Sequence, residues 1–389
     1  MELPALTDPD FVQDPYPVYA AARTAGPVHW WDAWGMHAAF DHATVHAAFR
    51  DKRLGRAPLE PRDWGPHLAP FAAFEAHSLL ELEAPEHTRL RGLVLRAFTS
   101  RRIAALGPEI LAVAEDLLAN LKGQADLIPT YCQLLPVRII AKLLGVPEAI
   151  APDLLRWSNQ MVAMYQAGRT HEIEVAAADA TVEFTDFLHG YIEVKRQSPS
   201  DDLISHLIAA EEDGTRLSSD ELIATCILLL NAGHEATVHT MGNAIKVLLD
   251  HETPPQAFGK DAIRGTVEEL LRFDPPLHVF TRFVYEDLTI AETTLQRGDE
   301  IALILGSATR DPGLCNRPDV FDPARPVTPH TAFGGGVHFC VGAPLARLEL
   351  QIALPALFNA FPNLRLTGTP RYTNTYHFHK LDQLQAQLT

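Results

Sequence analysis

A chain of 389 residues that is 47% hydrophobic and 21% charged has ample material for a core and exceeds the usual size of one small domain. Its formal net charge of −17 argues against nucleic acid and anionic membrane surfaces as partners. Four scattered cysteines (Cys132, Cys226, Cys315 and Cys340) with no C-x-x-C pair argue against a disulfide framework and for a reducing compartment. The opening MELPALTDPDF has no basic stretch leading into an apolar one, so no signal peptide is expected. The most apolar run, Leu222 to Leu230, is far short of the roughly 20 residues that a membrane span needs. A cytoplasmic protein is expected, without a membrane partner.

In chain order, periodicity predicts helices around 15–24, 86–97, 101–121, 134–145, 151–166, 172–195, 200–212, 219–250, 261–273 and 343–360. Shorter strand-like stretches fall at 27–31, 286–291, 300–305 and 375–388. The 29 prolines punctuate these segments, and no linker, repeat or low-complexity tract divides the chain. The expected fold class is mainly α with a smaller β-rich portion, in a single domain over residues 1–389.

Three constellations carry chemistry. The longest helix opens on Ser218 with Glu221, the S-x-x-E form of a capping box, and about 30 residues of helix extend roughly 45 Å. At its middle stands Ala232-Gly233-His234-Glu235-Ala236-Thr237, a glycine and a carboxylate where each is costly. Two readings stay open here: a packing glycine beside a paired glutamate, or a backbone surface against which something large lies, with Glu235 handling protons. Next, Glu269 and Arg272 share a helix face and can pair, a spacing common by chance. Last, Phe333-Gly334-Gly335-Gly336-Val337-His338-Phe339-Cys340-Val341-Gly342 forms a tight loop just ahead of a helix with Pro344 in its first turn. That location favours a thiolate at Cys340.

The last motif, F-x-x-G-x-H-x-C-x-G filled by Phe333, Gly336, His338, Cys340 and Gly342, resembles the haem-binding signature of the cytochrome P450 superfamily. Upstream, Glu269-x-x-Arg272, Ala232-Gly233-x-Glu235, the Phe321–Arg325 meander, Ala84–Arg91 and Asp14-Pro15-Tyr16-Pro17 are similar to segments of its soluble bacterial members, from about residue 8 to the C-terminus. The resemblance implies a P450 fold with haem b (iron protoporphyrin IX) buried between the long central helix and the helix after the cysteine loop. It implies Cys340 as the iron's axial thiolate, which favours O–O cleavage. Phe333 would pack beside the sulfur, while Gly336 and Gly342 would let the loop approach the porphyrin. His87, Arg91, Arg282 and His338 would neutralise the propionates, His87 and Arg91 being four apart and so on one helix face. Glu269, Arg272 and Arg325 would form a structural lock.

On the opposite face, Ala232 and Gly233 would leave room for dioxygen, and Glu235 would relay protons. The family's usual next residue is threonine, and here it is Ala236. Thr237 follows, but one residue is about 100° of helical rotation, so its hydroxyl does not simply stand in. Protons are therefore expected through ordered water, with a substrate hydroxyl completing the relay. The implied activity is insertion of one atom of O2 into a small or medium-sized, largely apolar molecule, by hydroxylation or a related oxidation such as O-dealkylation or epoxidation. Candidate pocket residues are Leu228, Asn231, His278 and Phe280, with walls from 61–80 and 155–180. Electrons would come from an external ferredoxin and its reductase, docking near Arg96, Arg101 and Arg102 on an expected monomer. Two rival readings, a peroxide-driven member and a haem-based sensor or electron carrier, leave Glu235, and in the second also Ala232 and Gly233, without a use.

Overall fold

The computed structural model describes residues 1–166, 168–210, 216–375 and 378–389. Its dominant element is the helix Ser219–Asp250, 32 residues long, capped as its sequence predicts: the Ser218 side chain accepts from the Glu221 N–H while the Glu221 carboxylate accepts from the Ser218 N–H. Most of its residues are buried, since it packs against the helices Leu134–Leu144, Ala151–Val162, Ile263–Phe273 and Ala343–Ala360. It is the axis of the core.

Most predicted helices form within a residue or two of their expected bounds, as at Tyr16–Ala25, Glu86–Ala97 and Ala343–Ala360. The stretch expected as one helix over 101–121 is instead two, Ser100–Ala105 and Gly107–Ala119. Pro108 is the reason: it lacks an N–H and disfavours a helical predecessor. The helix Leu134–Leu144 stops at Gly145, which takes a left-handed φ of 83°. The segment predicted over 200–212 shrinks to Leu203–Ala209, started by the Asp202 side chain accepting from the Ser205 N–H; residues 211 and 212 lie outside the described residues.

The β portion holds a five-stranded sheet in the order Val28–Trp31, Met36–Ala39, Glu300–Ile304, Val279–Val284 and Leu54–Gly55. Only the pairing of Met36–Ala39 with Glu300–Ile304 is parallel. The predicted C-terminal strand over 375–388 is confined to Gln385–Leu388, which pairs with Gly123–Asp126 and Arg365–Leu366; residues 376 and 377 of it are not among those described. Among the described residues, no helix is long and apolar enough to cross a membrane.

Candidate active site

The cysteine loop is pressed against its neighbours before it holds anything. Gly334 and Gly336 take left-handed φ values of 70° and 66°. A Cβ on Gly336 would stand 1.9 Å from the Phe49 carbonyl oxygen. Glycine is thus demanded there by Phe49, which follows the helix His42–Ala48. A Cβ on Gly342 would make only an ordinary 3.8 Å contact with the Cys340 sulfur. The Cys340 N–H donates to the Phe333 carbonyl at 3.1 Å. Burial pushes the Cys340 thiol up, against the backbone N–H groups of Gly342 and Ala343 and the charges of Arg91 and Arg347. Cys340 is nevertheless among the exposed residues. Behind the loop, Arg347 lies 4.5 Å over the Phe333 ring and holds Glu268 through two bonds of 2.5 and 2.9 Å. His330 adds a third contact to Glu268 at 3.2 Å.

Nearby, the structure brings Glu269, Arg272 and Arg325 together in full satisfaction. Arg272 donates twice to Glu269 (2.7 and 2.8 Å) and to the carbonyls of Thr309 and Pro318. Arg325 Nε reaches both Glu269 oxygens at 3.1 Å, and the Asp322 N–H adds a bond of 3.0 Å. A buried charge pair is tolerable when every remaining hydrogen-bonding group is met, as it is here.

The four residues expected to face carboxylates gather on one rim. The rings of His87 and His338 are 4.2 Å apart, and the Arg91 guanidinium donates to the Phe339 carbonyl at 2.6 Å. Arg282 is buried, stacks 5.0 Å from the Phe49 ring, and donates only to the Thr281 carbonyl; burial pulls it down to about 9. Glu83 answers them, accepting from His338 at 3.0 Å and from the Arg56 N–H at 2.6 Å. His87 is pulled down to about 4 by burial, then by the charges of His338 and Arg91, and its Nε2 has no partner.

On the long helix, Ala232 is exposed although Asn231 and His234 are buried, and Ala236 is half-buried. In the middle of a buried helix, such exposure is to an internal slot. Gly233 does not share it in the expected way: a Cβ there would point at Ile140 Cδ1, 3.5 Å away, so this glycine serves helix packing. Glu235 is buried and accepts from His239 Nε2 at 3.0 Å. Burial opposes its ionisation, but this bond, the two histidines and Lys380 hold the carboxyl below its usual range. Among the described residues, His239 Nδ1 and His234 Nε2 have no hydrogen-bond partner, although His234 Nε2 lies 3.8 Å from Glu235 Oε1. Glu235, His239 and Lys380 also line a cavity of about 280 Å3 shared with Gln133, Asn159, Gln166 and Thr375. The Thr237 hydroxyl donates to the Gly233 carbonyl at 3.0 Å, one turn back in the same helix.

The pocket candidates separate. Leu228 packs with Leu79 and Leu90. Asn231 is buried beside Met161, with its Oδ1 unpartnered. Phe280 instead packs on Gly334 and Phe49 of the loop side. His278 is a correction: its ring nitrogens lie 3.4 Å from the Tyr16 hydroxyl and 3.1 Å from that of Tyr19, in a buried cluster with Asp274 and His379. Sequence reading missed Glu83, His239 and Glu268. His239 was findable, since it stands four residues after Glu235 on the same helix face. Glu83 and Glu268 carried no signal, because their partners His338, His330 and Arg347 are distant in sequence.

These residues fit a haem. Cys340 and, within the largely buried long helix, Ala232 are both accessible, and among the described residues a buried guanidinium without an ion pair and an imidazole nitrogen without a hydrogen-bond partner offer the donors two propionates require. A family model described as Cytochrome P450 matches residues 157–256 and 263–374. Cytochrome P450 107B1 of Saccharopolyspora erythraea is 40% identical over 328 residues, covering 82% of this chain and 76% of that protein. The cytochrome P450 monooxygenase PikC of Streptomyces venezuelae is 37% identical over 377 residues, covering 93% and 87%. Among solved structures, P450BioI in complex with hexadec-9Z-enoic acid ligated acyl carrier protein superposes with a TM-score of 0.92 at 30% identity, covering 98% of this chain and 99% of that one.

Proposed function

The chain belongs to the cytochrome P450 family, a haem-dependent monooxygenase, and from that premise we propose that it oxidises a small or medium-sized, largely apolar molecule with electrons from an external ferredoxin and its reductase. Haem b, which Cys340 would hold, would supply dioxygen activation, with one oxygen atom going to the substrate and the other to water for two electrons and two protons. Everything else falls to the protein. His87, Arg91, Arg282 and His338 hold the propionates, and their grouping on one rim supports that role. The Glu269 lock and the Arg347–Phe333 stack keep the loop, and so the sulfur, in place.

Glu235 moves protons. Its open cavity and the hydrogen bond from His239 support a route in which water reaches the carboxylate from the side of Lys380 and Thr375. With Ala236 offering no hydroxyl and that of Thr237 engaged, the last transfer passes through water or a substrate hydroxyl. The observation that carries the monooxygenase reading is the exposed Ala232 beside a buried, ionised Glu235, for which a sensor or electron carrier has no use.

Leu228 with Leu79 and Leu90, and the aromatic segment with Trp64, Phe71 and Phe74, support an apolar substrate. Arg96 and Arg101 are exposed, with Arg102 partly so, in an otherwise acidic chain, which supports docking of an acidic ferredoxin there. The deciding experiment screens apolar compounds for the low-to-high-spin shift of the haem, then asks for reductant-dependent product from each hit. Hits that shift the spin state without ever giving product would overturn the enzyme reading. Charge reversal at Arg96, Arg101 and Arg102 is expected to slow the first electron transfer in a salt-dependent way, and an unchanged rate would reject the docking site.

A further inference from the structure

Two segments that wall the proposed pocket meet at a point the monooxygenase reaction does not use. The turn Pro66–Leu68, continued by the helix Ala69–Glu75, packs against the helix His171–Gln197 and the turn before it. The Tyr165 hydroxyl already ties them by donating to Glu75 Oε1 at 2.5 Å. Farther out, His67 Nε2 lies 2.7 Å from Glu174 Oε2, and His171 Nδ1 lies 4.0 Å from the same oxygen. The two imidazole rings are 4.9 Å apart, and one ligand atom from each of the three residues falls within 4.8 Å of the others. Arg169 Nε occupies the other oxygen, Glu174 Oε1, at 2.8 Å, which leaves Oε2 facing both rings.

We infer that His67, His171 and Glu174 form a site for a divalent transition ion of the zinc class, stapling the 66–75 segment to the start of the helix at His171. Two imidazoles and a carboxylate are the ligand set of open, four-coordinate zinc sites, water taking the fourth place. Imidazole ligands select such ions over magnesium and calcium. Around an ion with bonds of about 2.1 Å the ligand atoms stand roughly 3.4 Å apart. Small torsional changes in solvent-facing side chains bring the present spacing to that value. The Arg169 charge opposes the ion, so the affinity is moderate. With the ion bound, the outer edge of the two walls is closed; this consequence rests on the pocket reading above, whereas the site itself stands on the geometry.

The test titrates the haem-loaded full chain with zinc chloride by calorimetry. One ion per chain is expected, and His67→Ala, His171→Ala and Glu174→Gln are each expected to weaken it by at least about tenfold, a scale that even second-sphere changes reach. His46→Ala, which breaks a separate imidazole pair with His42 whose rings are 5.6 Å apart, is expected to leave binding unchanged. Absence of saturable binding, survival of binding in His67→Ala, or its loss in His46→Ala overturns the site. Zinc is further expected to slow amide hydrogen exchange over 66–75 in the wild type and not in His67→Ala; no slowing overturns the staple. If zinc binds and protects that segment but leaves the rate of a ligand-induced spin shift unchanged, the site stands and the assignment of these segments as pocket walls falls.

Discussion

Behind the Cys340 loop the buried carboxylates Glu268 and Glu269 are fully engaged, although Thr331 Oγ1 and His87 Nε2 have no hydrogen-bond partner among the described residues. Glu269 receives bonds from Arg272, Arg325 and the Asp322 N–H, and Glu268 from Arg347 and His330. On the side of the long helix, Asn231 Oδ1, His234 Nε2 and His239 Nδ1 are buried without one. Buried polar atoms are rarely left so, and where they cluster they mark water or ligand sites. The carboxylates behind the loop are locked in closed networks, while the long helix carries buried polar atoms left open, the capacity that the proposed proton route would use.

The largest effect that would break this comparison is expected at the sulfur. Cys340→Ala should abolish the thiolate-type spectrum of the ferrous carbon monoxide complex and all monooxygenation, whereas His239→Ala should keep the spectrum. Next comes Gly336→Ala. Its Cβ would meet the Phe49 carbonyl at 1.9 Å in a left-handed conformation, so denaturant unfolding should show a loss of about 2–4 kcal/mol. The same change at Gly233, where a Cβ meets Ile140 at 3.5 Å, should be tolerated far better.

A third carboxylate on the loop side is not engaged in the same way. Glu349 is buried in the helix after the cysteine, its Oε2 has no partner, and burial pushes it from its ordinary 4.5 up to about 8. The folded chain therefore holds a proton between those values that the unfolded chain releases, and stability falls as pH rises from about 4.5 to about 8. Glu349→Gln should flatten that slope, a difference on the order of a few kcal/mol by pH 8 in pH-dependent unfolding. The smallest effect expected is that of Ala236→Thr. A hydroxyl at that position should raise the ratio of product to peroxide severalfold if proton delivery limits coupling, and an unchanged ratio would show that water alone suffices.

Much of this was legible in the residues. The capping box at Ser218 and Glu221 placed the start of the long helix, the glycine-rich loop before Pro344 placed Cys340 ahead of a helix, and the helix bounds follow local periodicity. These are local properties, set by neighbours three or four residues apart. The surroundings of three motif and pocket residues are not local. Gly233 and Gly336 are both glycines in motifs, but which atom each must avoid, Ile140 or Phe49, depends on elements far away in the chain. His278 carried a plausible pocket role until Tyr16 and Tyr19 claimed its ring.

By itself, then, the sequence determined the mainly helical fold, the family and the loop that carries the proposed iron ligand, because caps, turns and a contiguous loop motif are short-range and chemically specific. The tertiary structure alone decided which groups are satisfied and which are left open: Glu83 beside His338, Glu268 behind Phe333, and a cavity at Glu235. Those facts depend on contacts between residues tens to hundreds of positions apart, and burial, hydrogen bonding and charge are settled only when such contacts form.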